Sequence, residues 1–267
     1  MKILILGGSG GLSGTLARMA LKQGKEVWTV TRGKRSLPEG VHPITVDRNE
    51  EEAFAKALND CQMRWDSVYD PDHKKVPQDE NGEAYVHDSS YAGLKRQMEE
   101  VFLAAQDRRL NWTLFRPGHI YGPGFLIGCS PEHSRQKDLL EHICADRPLR
   151  LVGGGKYLTQ PTFAEDLAES MLDCMDKEKT FHEIFCIGGP KAVENRVYYE
   201  LIGKITGHPV TIEEIPLEGY AQAHPEFSGH LCERSYTLEK LKNAGVKLPS
   251  TPLEEGLRRH IEWLEHE

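Results

Sequence analysis

The feature that most restricts the fold is a short apolar run that breaks straight into glycine. Residues 3–14 read Ile-Leu-Ile-Leu-Gly-Gly-Ser-Gly-Gly-Leu-Ser-Gly. Lys2 to Leu6 has the pattern of a parallel strand covered on both faces. Gly7, Gly8 and Gly10 permit positive φ and close approach by something bulky. Thr15, Leu16, Met19, Ala20 and Gln23 then follow at helical spacing. The free N–H groups of such a helix start, in a turn that also holds Ser9, Gly11 and Leu12, suit a pyrophosphate. A plain strand–helix turn is the competing reading.

Bulk properties exclude several classes. A chain of 267 residues with 39% hydrophobic residues can build one large α/β unit, or a nucleotide domain with a smaller lobe. Its net charge of −8, with no basic stripe, argues against a nucleic-acid partner. The six cysteines are scattered without a C-x-x-C pair, which suits inert thiols in a reducing compartment. No signal-peptide stretch and no membrane-length apolar run is present, so a cytoplasmic protein without membrane contact is expected.

Strands are expected at 25–31, 42–46, 65–69, 112–115, 150–152, 184–187 and 210–215. Helices are expected at 50–58, from Ser89 or Ser90 to about 106, and at 137–145 and 197–206. Leu94, Met98, Val101, Phe102 and Ala105 should face inward on the second of these. Thr162 with Glu165 predicts a capping box for a helix through Met175. Thr251-Pro252-Leu253-Glu254 predicts a capped last helix with Leu253, Leu257, Ile261 and Leu264 in one core-facing stripe. The alternation predicts an α/β fold with a doubly wound, mostly parallel sheet.

Tyr91 and Lys95 lie one helical turn apart and share a face. An ammonium beside a phenol favours the phenolate and lowers the tyrosine pKa from about 10. That makes a proton donor or acceptor near neutrality. The pair precedes the strand that opens into Arg116-Pro117-Gly118-His119-Ile120-Tyr121-Gly122-Pro123-Gly124. With the glycine turn, with Thr162-Phe163-Ala164-Glu165-Asp166-Leu167-Ala168 and with the stretch from Leu238 to Leu264, the chain resembles the extended or atypical short-chain dehydrogenase/reductases. It is most similar to their NAD-dependent epimerase/dehydratase family, near bacterial sugar-nucleotide-epimerase-like proteins and chloroplast stem-loop-binding relatives.

The resemblance implies a Rossmann domain over residues 1–125 and about 158–190, and a substrate-binding α+β lobe over about 126–157 and 191–267. It implies an NAD(P)-dependent oxidoreductase or epimerase for a small carbonyl or sugar-nucleotide substrate. Tyr91 would move the proton and Lys95 would activate it and hold the ribose. Gly7, Gly8, Ser9, Gly10, Gly11, Leu12 and Asp47 would contact the dinucleotide. Arg116, Pro117 and His119 either approach the cofactor or close a turn.

Three departures qualify this. The third glycine of the pattern falls at Ser13. The acidic residue expected after the second strand is replaced by Thr31, followed by Arg32. An arginine there accommodates a 2′-phosphate, which favours NADP over NAD with Lys34 or Arg35 assisting; an exposed basic turn is the alternative. Finally, the chain fits one strand between Asp47 and Tyr91 where the family has two strands and a helix. The family's catalytic Ser/Thr segment is then missing, Trp65 stands in its place, and Ser67 is the candidate substitute. That loss motivates a second reading, a dinucleotide-binding sensor or scaffold without catalysis. His224, His230, Cys232 and Glu233 fit no common zinc spacing, so no metal is expected. The oligomeric state is not legible; a homodimer is one form left open.

Overall fold

A computed structural model describes residues 1–46, 63–65, 76–81, 91–104, 111–224, 227 and 230–266. The expected helix at 50–58, Asp47, Ser67, the Ser89/Ser90 cap and Ala105 lie outside the described residues.

Strand β1 (Lys2–Leu6) pairs in parallel with β2 (Glu26–Thr31), and β2 with β3 (His42–Thr45). Helix α1 (Gly11–Lys22) makes the crossover between β1 and β2. A second parallel sheet joins β4 (Met63–Trp65), β5 (Thr113–Pro117) and β10 (Glu183–Ile187), with β5 in the middle. The sheets thus run 3-2-1 and 4-5-10, the halves of a Rossmann arrangement. Among the described residues no ladder joins β1 to β4, which is where the family's fourth strand would lie.

Helix α2 (Tyr91–Ala104) precedes β5. After β5 come β6 (Ile120–Tyr121), α3 (Leu139–Cys144), β7 (Leu149–Val152), β8 (Leu158–Thr159) and β9 (Thr162–Phe163). Helix α4 (Ala164–Cys174) leads to β10, then β11 (Val193–Glu194), α5 (Asn195–Thr206), β12 (Ile212–Ile215) and α6 (Tyr220–Ala223). Helices α7 (Glu239–Asn243) and α8 (Leu253–Leu264) complete the order. Strand β7 pairs in parallel with β12, and β6 with β9.

Two apolar cores result. The first buries Ile3, Ile5, Leu12, Leu16 and Ala17 against Phe115, Leu167, Ala168, Met171 and Phe185, so α1 and α4 close one face of the sheet. Leu241 and Val246 return to this core. The second gathers Tyr121, Ile127, Leu139, Leu149, Tyr198 and Tyr199 under Leu257 and Ile261. Leu253 and Leu264 pack at its edge, so the α8 stripe faces a core.

Three local expectations are corrected. Thr162 is in β9, bonded through its N–H to the His119 carbonyl at 2.8 Å, and α4 starts after Phe163 without a side-chain cap. Glu165 pairs instead with Arg259 on α8. Likewise α8 starts after Pro252 without a side-chain cap, because Thr251 gives its hydroxyl to Asp166 Oδ1 at 2.8 Å. Asp166 also accepts the Ser250 and Thr251 N–H groups, a stronger tertiary demand than a local cap. On α2, Leu94 and Val101 are exposed, and Glu99 is the residue turned inward. Its buried carboxylate takes two 2.7 Å bonds from Arg116 Nε and Nη2, which fixes the helix face. Phe102 packs beside Trp112 as expected.

Candidate functional site

The site starts from the break between β1 and α1. Gly7 and Gly8 have φ of +107° and +102°, where side-chain-bearing residues are strained. At Gly8 a Cβ would also meet Thr29 Cγ2 at 2.5 Å. The Gly7 N–H bonds the Val30 carbonyl at 2.9 Å, tying the turn to β2. Gly10 caps α1 with no side-chain bond, and the first turn carries no acid. The first helical bond runs from Gly14 N–H to the Gly10 carbonyl at 2.7 Å. The N–H groups before it lack intrahelical acceptors, and together with the helix dipole they favour an anion.

These residues open on a cleft of about 410 Å³, of small-molecule size. Gly8, Ser9, Gly10, Gly11, Gly14, Ser36, Leu37 and Pro38 line it, with Arg18, Gly124 and Trp263. The uncapped helix start, glycine floor and cationic Arg18 fit a dinucleotide diphosphate. Leu12 can contribute only backbone here, because its side chain is in the first core. Arg32, Lys34 and Arg35 are exposed in the turn just before Ser36. The Gly33 N–H bonds Thr31 Oγ1 at 3.1 Å, so Thr31 shapes that turn.

Arg18 and Trp263 were not foreseen from the sequence. Arg18 sits two turns into α1 and donates to Thr15 Oγ1 at 2.9 Å. Its spacing from Gly10 and Gly11 was the available signal. Trp263 arrives from α8, and no local pattern announces it.

Tyr91 and Lys95 are on α2, one turn apart, and Lys95 is half-buried. The Tyr91 side chain lies outside the described residues. Pro117 ends β5. Arg116 is buried and held by Glu99, with Nη1 reaching the Glu80 carbonyl at 3.3 Å.

The loop after β6 seats on the glycine turn. A Cβ on Gly11 would collide with the Phe125 ring at about 2.5 Å. The Arg135 guanidinium lies 5.2 Å above the same ring, and the Phe125 carbonyl is bonded to His260 Nε2 at 2.9 Å. Beside this loop, His119 meets the Tyr198 ring edge-on at 5.9 Å. Burial, then Arg135 and Arg234, hold the His119 pKa well below the usual imidazole value. Arg234 Nη2 reaches Asn195 Oδ1 at 3.5 Å, an oxygen that Cys129 Sγ also contacts at 3.7 Å. Burial pushes the Cys129 thiol up to about 11, so it stays protonated and offers no nucleophile.

Elsewhere, Glu233 accepts the Leu158 N–H at 2.7 Å and His224 stacks near Tyr220 at 4.5 Å. Among the described residues no group of His, Cys, Asp and Glu has metal-binding geometry, and no helix is long and apolar enough to cross a membrane.

Fold and turn together define a Rossmann-type α/β protein. UDP-glucose 4-epimerase of Thermotoga maritima, solved with UDP-glucose, superposes with a TM-score of 0.78 at 18% identity, covering 100% of this chain and 99% of that one. A dTDP-glucose 4,6-dehydratase of Bacillus anthracis in complex with NAD gives 0.74 at 16% identity, covering 100% and 97%. Residues 62–188 match the model of the NAD dependent epimerase/dehydratase family. The chloroplast stem-loop binding protein of 41 kDa b of Arabidopsis thaliana is 26% identical over 303 residues, covering 96% of this chain and 77% of that protein. The family-model match thus covers just under half of the chain, and the solved structures share the fold over its whole length. The last match runs longer than the 267 residues of this chain, so that relative carries positions with no counterpart here.

Proposed function

We propose that the chain is an NAD(P)-dependent epimerase- or reductase-type enzyme for a sugar-nucleotide or small carbonyl substrate. One observation carries the reading: an uncapped helix start behind two positive-φ glycines, opening on a cleft of about 410 Å³. The bound nicotinamide would supply the hydride chemistry. The chain's own residues do the rest. The N–H groups at the start of α1 hold the diphosphate, with Arg18 alongside. Arg32 and Lys34 at the end of β2 receive a 2′-phosphate, which makes NADP the favoured form. Tyr91 passes a proton to or from the substrate oxygen, and the Lys95 ammonium steadies the phenolate that results. Ser67 is the candidate for a second hydroxyl on the substrate.

Tyr91→Phe tests the assignment. Interconversion of UDP-glucose and UDP-galactose, and reduction of a carbonyl panel by NADPH, are followed in both proteins. Turnover should vanish in the variant while calorimetric dinucleotide affinity stays within about twofold, because the phenol acts on the reacting atoms rather than on binding. Turnover unchanged by the substitution refutes the role.

A second reading, a dinucleotide-binding sensor or scaffold without turnover, draws on one observation. Among the described residues β1 and β4 are not joined, in a chain shorter than the stretch matched in its relative. It predicts dinucleotide binding with no hydride exchange on any carbonyl, and a measurable turnover number ends it.

A further inference from the structure

The cleft at the glycine turn has a wall that no residue of β1, β2 or α1 supplies. It comes from the last helix, whose Trp263 lines the cleft together with Gly124. Three contacts fix α8 there. At Gly256 it lies so close to the Tyr121 ring that a side chain has no room. His260 Nε2 is bonded to the Phe125 carbonyl at 2.9 Å, and the Arg259 guanidinium lies 4.7 Å over the Phe163 ring. The loop held by His260 seats on the turn, since a Cβ on Gly124 would stand 3.1 Å from Gly11 Cα. Trp263 follows His260 by three residues and shares its helix face, so packing places it in the cleft.

The side chains of this cleft offer donors. Among the described residues no carboxylate lines it, and Glu262 and Glu265, the neighbours of Trp263 on α8, are exposed outside it. Arg18 folds back along α1, with Nη1 3.4 Å from where a Gly14 Cβ would stand, a point equally close to the Gly8 carbonyl. It gives Nη2 to Thr15 Oγ1 at 2.9 Å and has no ion pair among the described residues. Trp263 is half-buried, with its ring 6.5 Å from that of His260, and its Nε1–H has no acceptor among the described residues. Indole and guanidinium groups can only donate. Together with the N–H groups at the start of α1, they put donors from two separate helices on one cavity of about 410 Å³. The ligand that answers them is an anion with oxygens facing several ways, as a diphosphate has.

We propose that Trp263 is a binding residue of the dinucleotide site, whose indole N–H donates from α8 to a diphosphate oxygen. The claim rests on the dinucleotide reading above and deepens it, because that reading draws its contacts from α1, the end of β2 and α2. The last helix then acts twice on the same site. Through His260 it holds the loop that seats on Gly11, and through Trp263 it touches what the glycine turn holds. The indole ring also keeps water from one side of the diphosphate, which strengthens each charged hydrogen bond made there.

The indole N–H resonances of the full chain are followed during titration with NADP, with ADP and with adenosine. The chain has four tryptophans, and the Trp263 signal is the one missing from Trp263→Phe. Phenylalanine keeps an aromatic ring in the wall and removes the donor. NADP and ADP should each move the Trp263 signal saturably, whereas adenosine, which lacks the diphosphate, should leave it in place. Calorimetry should show both NADP and ADP bound at least about fivefold more weakly by Trp263→Phe, the scale of one hydrogen bond to a charged group. An equal loss for the two ligands locates the contact at the diphosphate they share. Should Trp263→Phe fail to fold, the signal is assigned by elimination from Trp28→Phe, Trp65→Phe and Trp112→Phe, and the titration decides. NADP bound with the Trp263 signal unmoved, a signal moved equally by adenosine, or unchanged affinity in Trp263→Phe overturns the proposal and leaves the dinucleotide reading standing. No binding of NADP by the parent chain overturns both.

Discussion

Arg116 and His119 stand three residues apart at the end of β5, yet their surroundings are opposite. Arg116 is buried and fully answered: Glu99 meets it with two 2.7 Å bonds, and Glu80 offers a carbonyl. His119 is surrounded by Arg135, Arg234 and His230, with no acid to balance them among the described residues. A buried charge paired inside the protein holds helix to sheet. A buried imidazole flanked by cations is held neutral instead.

The comparison breaks most visibly at Glu99. Glu99→Gln removes the carboxylate that both Arg116 Nε and Nη2 reach at 2.7 Å, and about 3–5 kcal/mol of stability should disappear in chemical denaturation. Arg234→Gln, which removes a cation with no ion pair among the described residues, should stay within about 1 kcal/mol of the parent. If Arg234→Gln proves the costlier of the two, the contrast fails.

Acid sharpens the same contrast. Burial lowers the His230 pKa to about 4, and burial lowers His119 and His260 as well. The folded chain therefore keeps these rings neutral while the unfolded chain protonates them near pH 6.5. The unfolded state binds more protons, so this stability is whole above pH 6.5 and is lost as pH falls toward 4. The loss from His230 should reach roughly 2 kcal/mol. Denaturation midpoints measured from pH 7 to 4.5 would show the decline. A flat profile contradicts the neutral, cation-flanked rings.

The smallest effect tests where the last helix takes its cap. Thr251→Ala should cost about 1 kcal/mol through the lost bond to Asp166, and Glu254→Ala about 0.5 kcal/mol or less. A reciprocal capping box would make the two losses similar, and thermal melts distinguish these outcomes.

Legibility followed the distance over which each feature is encoded. The β1 strand, glycine turn and α1 are contiguous, and their local pattern announces them completely. Strands β2, β3, β5, β7, β10 and β12 were likewise readable to within a residue or two at their ends, whereas the two-residue strands β6, β8, β9 and β11 are too short to leave a pattern, and β4 shares only Trp65 with the expected 65–69, of which 66–69 lie outside the described residues. Both capping boxes were misplaced because partners far along the chain compete for the same groups. The Thr162 N–H goes to His119 and the Thr251 hydroxyl goes to Asp166. The inward face of α2 was misread for a related reason. Periodicity favoured Leu94 and Val101, whereas the buried demand of Arg116 turns Glu99 inward. Trp263, Phe125 and Arg234 reach their sites from α8, from the loop after β6 and from the stretch before α7. No spacing rule connects such segments, so these contacts emerge only from the folded chain.

The central claim is that the opening turn holds the diphosphate of a nicotinamide dinucleotide. Isothermal calorimetry of the intact chain with NADP and with NAD tests it, set against a folded Gly8→Ala variant whose Cβ must fit at φ +102° and 2.5 Å from Thr29 Cγ2. Saturable binding of one dinucleotide per chain is predicted, tighter for NADP and weaker by at least about tenfold in the variant, the scale of one lost close contact to phosphate. No binding by the parent chain, or equal affinity in the two proteins, would contradict the account.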